Sequence, residues 1–108
     1  MTAPKRIQRL RTKGWRLPQG AIYVGRPTKW GNRFREGRWN AYQDRYMTAA
    51  DAVERYRVNL LAGTLVSDRR IMISLPELRG TDLVCWCPLE DAHGNRVPCH
   101  ADVLLELA

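Results

Sequence analysis

Residues 82–87, DLVCWC, carry the pattern that decides the fold. This short apolar run predicts a buried strand, and the run AIYVGR at 21–26 predicts another. Helical patterns separate the two runs along the chain. Because strands joined by helices lie parallel in one sheet, we predict an α/β fold. We expect a small single-domain layer fold with a short, mostly parallel sheet and about three helices.

The first predicted helix begins after Thr48. TAAD at 48–51 resembles a capping box, in which the Thr48 and Asp51 side chains satisfy each other's backbone N–H groups. Apolar side chains then recur at helical spacing, at Ala49, Ala52, Val53, Tyr56 and Leu60. Gly63 is suited to the left-handed conformation that commonly ends a helix, so we predict that this helix stops there.

Two further helices are predicted. A short one begins near Ser67, is interrupted by Pro76 and finishes in a last turn at Gly80. The other spans CHADVLLELA at 99–108, whose inward-facing positions are Val103, Leu104 and Leu107.

The rest of the chain is predicted to complete one domain over residues 1–108. Within it, residues 1–16 are predicted to be a basic arm or an edge strand. Residues 27–46 form a long loop that is rich in arginine and aromatic side chains. The aromatic content argues against disorder, and ordered loops of this length usually serve a function.

The composition is that of an ordinary globular protein, with 44% hydrophobic and 27% charged residues in 108. No apolar run approaches the roughly 18 residues that span a bilayer. The basic N-terminus lacks the apolar segment of a secretory signal. We therefore expect a cytoplasmic protein without a membrane partner, in a compartment where clustered cysteines are more often metal ligands or reactive thiols than disulfides.

The charge is positive and unevenly distributed. The net charge is +7, and residues 1–38 hold eleven basic residues against the single acid Glu36. Such an excess favours a phosphate-bearing partner, either a nucleotide or a nucleic acid. The competing interpretation is a solvated surface that keeps the protein soluble.

All three cysteines and both histidines lie between residues 85 and 100. Zinc binds four Cys or His ligands in a tetrahedron, and four are available in two short segments: Cys85, Cys87, Cys99 and His100. Residues two apart in a strand share a face, so Cys85 and Cys87 are able to point to one side. We therefore predict a zinc site, with His93 as an alternate ligand.

Two other interpretations of these residues remain open. Cys99 is placed at the start of the last helix, where the helix dipole favours a reactive thiolate. His100 or His93 would then serve as a general base, with Asp102 orienting the histidine, which makes Cys99, His100 and Asp102 the catalytic candidates. Alternatively, the cysteines are small hydrophobic side chains of the core.

A second candidate site lies in the loop YVGRPTKWGNRF at 23–34. Arg26 and Lys29 are suited to a phosphate or carboxylate, Trp30 to a base or sugar, and Asn32 to a tight turn. Because this loop and the cysteines both follow predicted parallel strands, they should meet at one sheet edge. The competing interpretation is a tightly folded loop whose tryptophan fills the core.

Three segments together resemble a family of small bacterial and phage proteins catalogued as a domain of unknown function, DUF4326. They are YVGRPTKWGNRF at 23–34, LRGTDLVCWC at 78–87 and PCHADVLL at 98–105. The resemblance implies one constellation of Cys85, Cys87, Cys99 and His100, but no established reaction. This chain departs from the family pattern at Arg33, where proline is usual, and in a longer segment between Cys87 and Cys99, which implies that His93 is not essential.

These patterns lead to one expected function and two alternatives. We expect a small basic domain that binds a nucleotide or nucleic acid at a combined Cys/His and Arg/Trp site, with structural zinc. The first alternative is an enzyme acting on a nucleotide-like substrate through Cys99 or a zinc-bound water. The second is a protein-binding module of a phage or bacterium.

Overall fold

The computed structural model describes residues 3–108, so the first two residues of the predicted arm lie outside the described part. The main sheet has three parallel strands in the order β1 (Arg6–Gln8), β5 (Leu83–Cys85), β2 (Ile22–Tyr23). Arg6 and Ile22 both pair with Leu83, on opposite sides of the middle strand. Every residue of β5 is buried. The structure confirms the predicted α/β fold with a short, mostly parallel sheet.

Three α-helices complete the fold: α1 (Ala49–Ala62), α2 (Val66–Ser74) and α3 (His100–Leu107). Helix α3 packs on both β5 and α1, and α1 also packs on α2. The core between sheet and helices is apolar, and its largest fully buried side chains include Tyr56, Leu60, Leu78, Leu83 and Leu104. Helix α3 thus lies directly against the strand that carries Cys85.

The predicted ends of α1 are confirmed. The Asp51 backbone N–H donates to Thr48 Oγ1 at 3.1 Å, and the Thr48 N–H donates to the Asp51 carboxylate at 2.9 Å. Gly63 ends the helix with a φ of 61°, in the left-handed region that favours glycine. Pro76 also acts as predicted, because α2 stops at Ser74 and the chain continues as a 3₁₀ turn over Leu75–Leu78.

The segment 27–46 contains a hairpin that the sequence analysis missed. Strands β3 (Trp39–Asn40) and β4 (Arg45–Tyr46) pair antiparallel, with Trp39 opposite Tyr46. Each strand is only two residues long and mostly exposed, so there is no alternation of apolar and polar residues to detect. The prediction of a loop without secondary structure was therefore wrong over residues 39–46.

Among residues 3–108, no helix is both long enough and apolar enough to cross a membrane.

Candidate functional site

The loops that follow β2 and β5 meet at one edge of the sheet, as their parallel direction predicts. They enclose a pocket of about 290 Å³, which the start of α3 also lines. Arg26 and Asn32 from the first loop and Cys87 from the second share this pocket with Cys99 and His100. The two candidate sites of the sequence analysis are therefore one place in the structure.

Three sulfur atoms form a cluster in this pocket, and we call it the thiol cluster: Cys85, Cys87 and Cys99. Every pair of their Sγ atoms lies within 4.8 Å, and Cys85 Sγ is 3.1 Å from Cys99 Sγ. Cys85 ends β5, Cys99 is the N-cap of α3, and Cys87 lies in the turn between them. Cys85 and Cys99 are each 1% exposed, whereas Cys87 is half-buried. Strand and helix thus converge on one group of metal-ligating atoms.

The pKa values of the three thiols shift in different directions because the thiols are close together and buried to different extents. The pKa of the Cys87 thiol lies far below its ordinary value, because the Cys85 and Cys99 thiols donate to it. The same bonds raise the pKa of Cys85 to about 11, since its proton is held against Cys87, and burial adds to the effect. The pKa of Cys99 is raised because its proton is shared with Cys85 and Cys87 in a buried place. This order is the opposite of the expectation that Cys99, at the helix start, would be the thiolate.

The imidazole of His100 adjoins the thiol cluster on one side. Its Nδ1 lies 3.6 Å from Cys99 Sγ, and its Nε2 lies 2.8 Å from the Val24 carbonyl oxygen. Because a carbonyl only accepts, Nε2 carries a proton in this arrangement, and Nδ1 is the ring nitrogen that faces the sulfur atoms. Metal-bound histidines are commonly oriented in this way, with the second ring N–H on a backbone carbonyl.

Asp102 contacts a different set of groups. Its carboxylate accepts from Arg6 at 2.9 Å, from Arg96 at 2.8 Å and from the Cys99 backbone N–H at 3.2 Å. Neither ring nitrogen of His100 has Asp102 as its partner, because Val24 and Cys99 occupy both. Asp102 therefore caps α3 and binds β1 to it, and the catalytic role of Cys99, His100 and Asp102 stays a prediction.

Of the four residues predicted to bind a ligand, Arg26 and Asn32 line the pocket, whereas Lys29 and Trp30 do not. Arg26 is exposed and lines the pocket, with its Nε donating to the Asn32 carbonyl at 2.9 Å. Asn32 is buried, and its side chain bonds the backbone of Ala52 and Phe34. Trp30 is 5% exposed and belongs to the core. Lys29 pairs with Glu77 at 2.7 Å. Arg26 is thus the exposed residue of the four that lines the pocket and has no ion-pair partner among residues 3–108, and the binding roles of all four stay predictions.

Four residues lie together around the Trp86 ring, and we call them the mouth cluster: Arg9, Arg11, Tyr23 and Trp86, of which Tyr23 and Trp86 line the pocket. The guanidinium carbons of Arg9 and Arg11 lie 4.9 and 4.8 Å from the centre of the Trp86 ring. Arg9 is also 5.0 Å from the Tyr23 ring. The position of Trp86 between two cysteines marks it in the sequence as a candidate for the site. The proximity of Arg9 and Arg11 to Trp86 follows from the pairing of β1 with β5, which the sequence does not reveal.

Arg26 and Arg35 add positive charge at the same opening. The pKa of the Arg26 guanidinium is lowered because partial burial and the neighbouring Arg35 disfavour its charge, while Cys87 acts in the opposite direction. Neither arginine has an ion-pair partner among residues 3–108. An anion bound here would relieve the repulsion between them.

Comparisons with known proteins give a family and no function. No curated protein and no solved structure matches the chain. Residues 7–108 match the model of a family described as Domain of unknown function (DUF4326). That match covers nearly the whole sequence, including the loop after β2, the thiol cluster and the start of α3. The chain belongs to the DUF4326 family.

Proposed function

We propose that this protein is a metal-centred binding domain. A zinc ion held by Cys85, Cys87, Cys99 and His100 fixes the pocket, and the pocket binds a phosphate-bearing ligand, a nucleotide or a nucleic acid. One observation carries the proposal: a single pocket joins the buried thiol and imidazole groups to exposed arginine and aromatic side chains.

The three cysteines are close enough together to hold one metal ion, and His100 adjoins Cys99 with a nitrogen that zinc also accepts. At usual zinc bond lengths, tetrahedral ligands stand about 3.8 Å apart for two sulfurs and about 3.6 Å apart for sulfur and nitrogen. The observed separations are 3.1 Å between Cys85 Sγ and Cys99 Sγ and 3.6 Å between Cys99 Sγ and His100 Nδ1. The Sγ atoms of the three cysteines lie within 4.8 Å of one another. His100 lies beside this group and would be the fourth ligand of the ion.

Such a centre would be structural. Three sulfurs and one nitrogen fill a tetrahedron, which leaves no position for a reacting water. The ion would join the end of β5 to the first residues of α3, which has only eight residues. Helices this short are marginal without tertiary anchoring, so the ion would stabilise the end of the helix that lines the pocket.

The phosphate half of the proposal rests on charge that has no internal partner. Arg6, Lys29 and Arg33 are used in ion pairs. Arg9, Arg11, Arg26 and Arg35 make none with any residue that the structure describes. Arginine suits phosphate because its planar guanidinium donates two parallel hydrogen bonds, and Trp86 offers a nearby face for a base.

A cysteine-dependent enzyme is the second candidate, and the state of Cys87 favours it. Its thiol lies half-buried in the pocket beside Cys85 and Cys99, and these neighbouring thiols lower its pKa. A low pKa and access to solvent are the conditions for a reactive cysteine. Metal binding would suppress this reactivity, so the two candidates exclude each other at Cys87.

Calorimetric titration with ADP tests the phosphate half. We expect zinc-loaded protein to bind ADP and the double variant Arg9→Glu, Arg11→Glu to bind at least about tenfold more weakly, since each lost charged contact is worth about 1.5–3 kcal/mol. The matched control is Arg69→Glu, Arg70→Glu, which changes the net charge equally on the exposed side of α2. Equal weakening in both double variants would show that ADP binding depends on net charge alone. The mouth cluster would then not be part of the binding site.

A further inference from the structure

The β3–β4 hairpin displays aromatic side chains that the pocket does not use. Trp39, Tyr42 and Tyr46 are 53%, 87% and 66% exposed. The Trp39 and Tyr46 rings meet edge to face with centroids 5.2 Å apart. Three large aromatic side chains exposed within the eight residues 39–46 are unusual for a surface that contacts only water.

The hairpin is held in shape by its own hydrogen bonds. The Gly37 N–H donates to the Met47 carbonyl, and the Met47 N–H donates to the Arg38 carbonyl, both at 2.8 Å. At the tip, the Tyr42 N–H donates to the Asn40 side chain at 3.0 Å. The aromatic rings are therefore presented by a preorganised element, which lowers the entropic cost of binding to them.

Arginine side chains accompany these rings. The Arg55 guanidinium carbon lies 5.1 Å from the centre of the Tyr42 ring. Arg35 and Arg38 are exposed and make no ion pair with a residue that the structure describes. The nearby acids Asp51 and Glu54 are paired with Arg45 and Arg57, so their charges are neutralised.

The hairpin and the mouth cluster adjoin the same pocket. Glu36 and Ala49, which flank the two ends of the hairpin, line the pocket together with Trp86. Two groups of exposed rings, each beside arginines, are thus present: the mouth cluster at this pocket, and the hairpin rings, of which Tyr42 lines a separate pocket with Arg55. A mononucleotide has one base and would occupy only one of them, whereas a strand with several unpaired bases would engage both.

We infer that the ligand is a single-stranded nucleic acid whose bases stack on Trp86 and on the rings of the hairpin. This inference rests on the proposed function and specifies its ligand. Arginines 9, 11, 35 and 38 bind the phosphates between the stacked bases. Unpaired bases are required because stacking on a side chain needs a free base face, which a duplex does not offer.

Fluorescence anisotropy with a labelled oligothymidylate tests this inference. A strand of about 20 nucleotides reaches about 68 Å even at the 3.4 Å spacing of a duplex strand, which exceeds the longest dimension of the molecule, 41 Å. The competitors are thymidine monophosphate and a duplex of the same length. The variants are Trp86→Ala in the mouth cluster and Tyr42→Ala in the hairpin, with Ile73→Ala as the control because Ile73 is apolar and 80% exposed on α2.

We expect Trp86→Ala and Tyr42→Ala each to weaken binding of the long strand by about fivefold or more, the lower end of the effect of one stacked base. Ile73→Ala should leave it unchanged. Thymidine monophosphate should bind far more weakly than the strand and should respond to Trp86→Ala but not to Tyr42→Ala. Reversing Arg9 and Arg11 should reduce the slope of log affinity against log salt by about 1.4, since each phosphate contact on a single strand contributes about 0.7.

Three results would overturn the inference. Unchanged strand binding in Tyr42→Ala would remove the hairpin from the site, and equal affinity for strand and monophosphate would show that one nucleotide fills it. Stronger binding of the duplex would show that phosphate charge alone is recognised. In each of these cases the proposed phosphate-binding pocket stands. If ADP, the monophosphate and the strand all fail to bind, the proposed function fails with the inference.

Discussion

Cys87 and Cys99 show how neighbouring groups decide the chemistry of a side chain. Both are cysteines of one cluster, and Cys99 has the helix N-terminus that normally favours a thiolate. Yet Cys99 is 1% exposed and donates its proton, whereas the half-buried Cys87 accepts from two thiols. Two nearby hydrogen-bond donors outweigh the diffuse field of a short helix.

Alkylation of metal-free protein should therefore modify Cys87 first. Because the pKa of Cys87 is lowered, its thiolate persists when the pH falls from about 8 to about 6, over which an ordinary thiol of pKa about 8.5 loses most of its thiolate. Timed treatment with iodoacetamide, followed by peptide mass spectrometry, measures the three rates. The fully unfolded protein is the control, and faster modification of Cys99 in the folded protein would reverse the assignment.

Arg6 is a second residue whose role depends on its surroundings. In the sequence it is one of the basic residues of the N-terminal segment. In the structure its side chain is fully buried, bonding Asp102 and the carbonyl groups of Pro88 and Leu89. Arg6 thus connects β1 to the segment that follows Cys87 and to helix α3, which follows Cys99. The register with Leu83 directs this side chain inward, and the sequence of the segment does not reveal that register.

We expect Arg6→Ala to lower the free energy of unfolding by about 3 kcal/mol, the lower limit for breaking a buried pair. The lower limit applies because the Asp102 side chain is 29% exposed and keeps Arg96 as a partner. Arg96→Ala is the matched control on the same carboxylate, and should cost less than about 1 kcal/mol because Arg96 is 61% exposed. Urea denaturation measures the free energy of unfolding of both variants. Similar losses would mean that the burial of Arg6 does not increase its contribution to stability.

Among the secondary-structure elements, those with local chemical signals were predictable and those without were not. The capping box at Thr48, the left-handed Gly63 and the interruption at Pro76 each act through residues within a few positions of one another. The hairpin instead depends on the cross-strand pairs Trp39–Tyr46 and Asn40–Arg45, which leave no periodic pattern. Its strands are too short and too exposed for burial to shape their sequence.

The cap of α1 provides a test at this level. Thr48→Ala removes the side-chain acceptor of the Asp51 N–H and should lower the stability by about 1 kcal/mol. For a domain of this size that corresponds to a fall of about 4–8 °C in melting temperature. Thr64→Ala is the control, since Thr64 is exposed and lies beyond the Gly63 cap. Circular dichroism melts measure both, and a loss in Thr64→Ala as large as in Thr48→Ala would argue against the cap.

Over the whole molecule, the meeting of two distant segments was predictable because parallel strands place their carboxyl ends at one edge. From this rule alone the loop after β2 and the cysteines after β5 were expected to lie together, and residues of both segments line one pocket. The mouth cluster was not predictable in the same way. It also requires β1 beside β5, and a three-residue edge strand among basic residues carries little pattern to indicate its place.

The metal content of the purified, untagged protein tests the proposed centre most directly. Inductively coupled plasma mass spectrometry should find about one zinc ion per chain in the wild type, since the proposed structural site takes its four ligands from the thiol cluster and His100. Cys87→Ser should lose the ion, and Ser67→Ala, an exposed residue of α2, should retain it. Wild-type protein that contains no metal, binds none when zinc is added and keeps its melting temperature in a chelator would contradict the proposal.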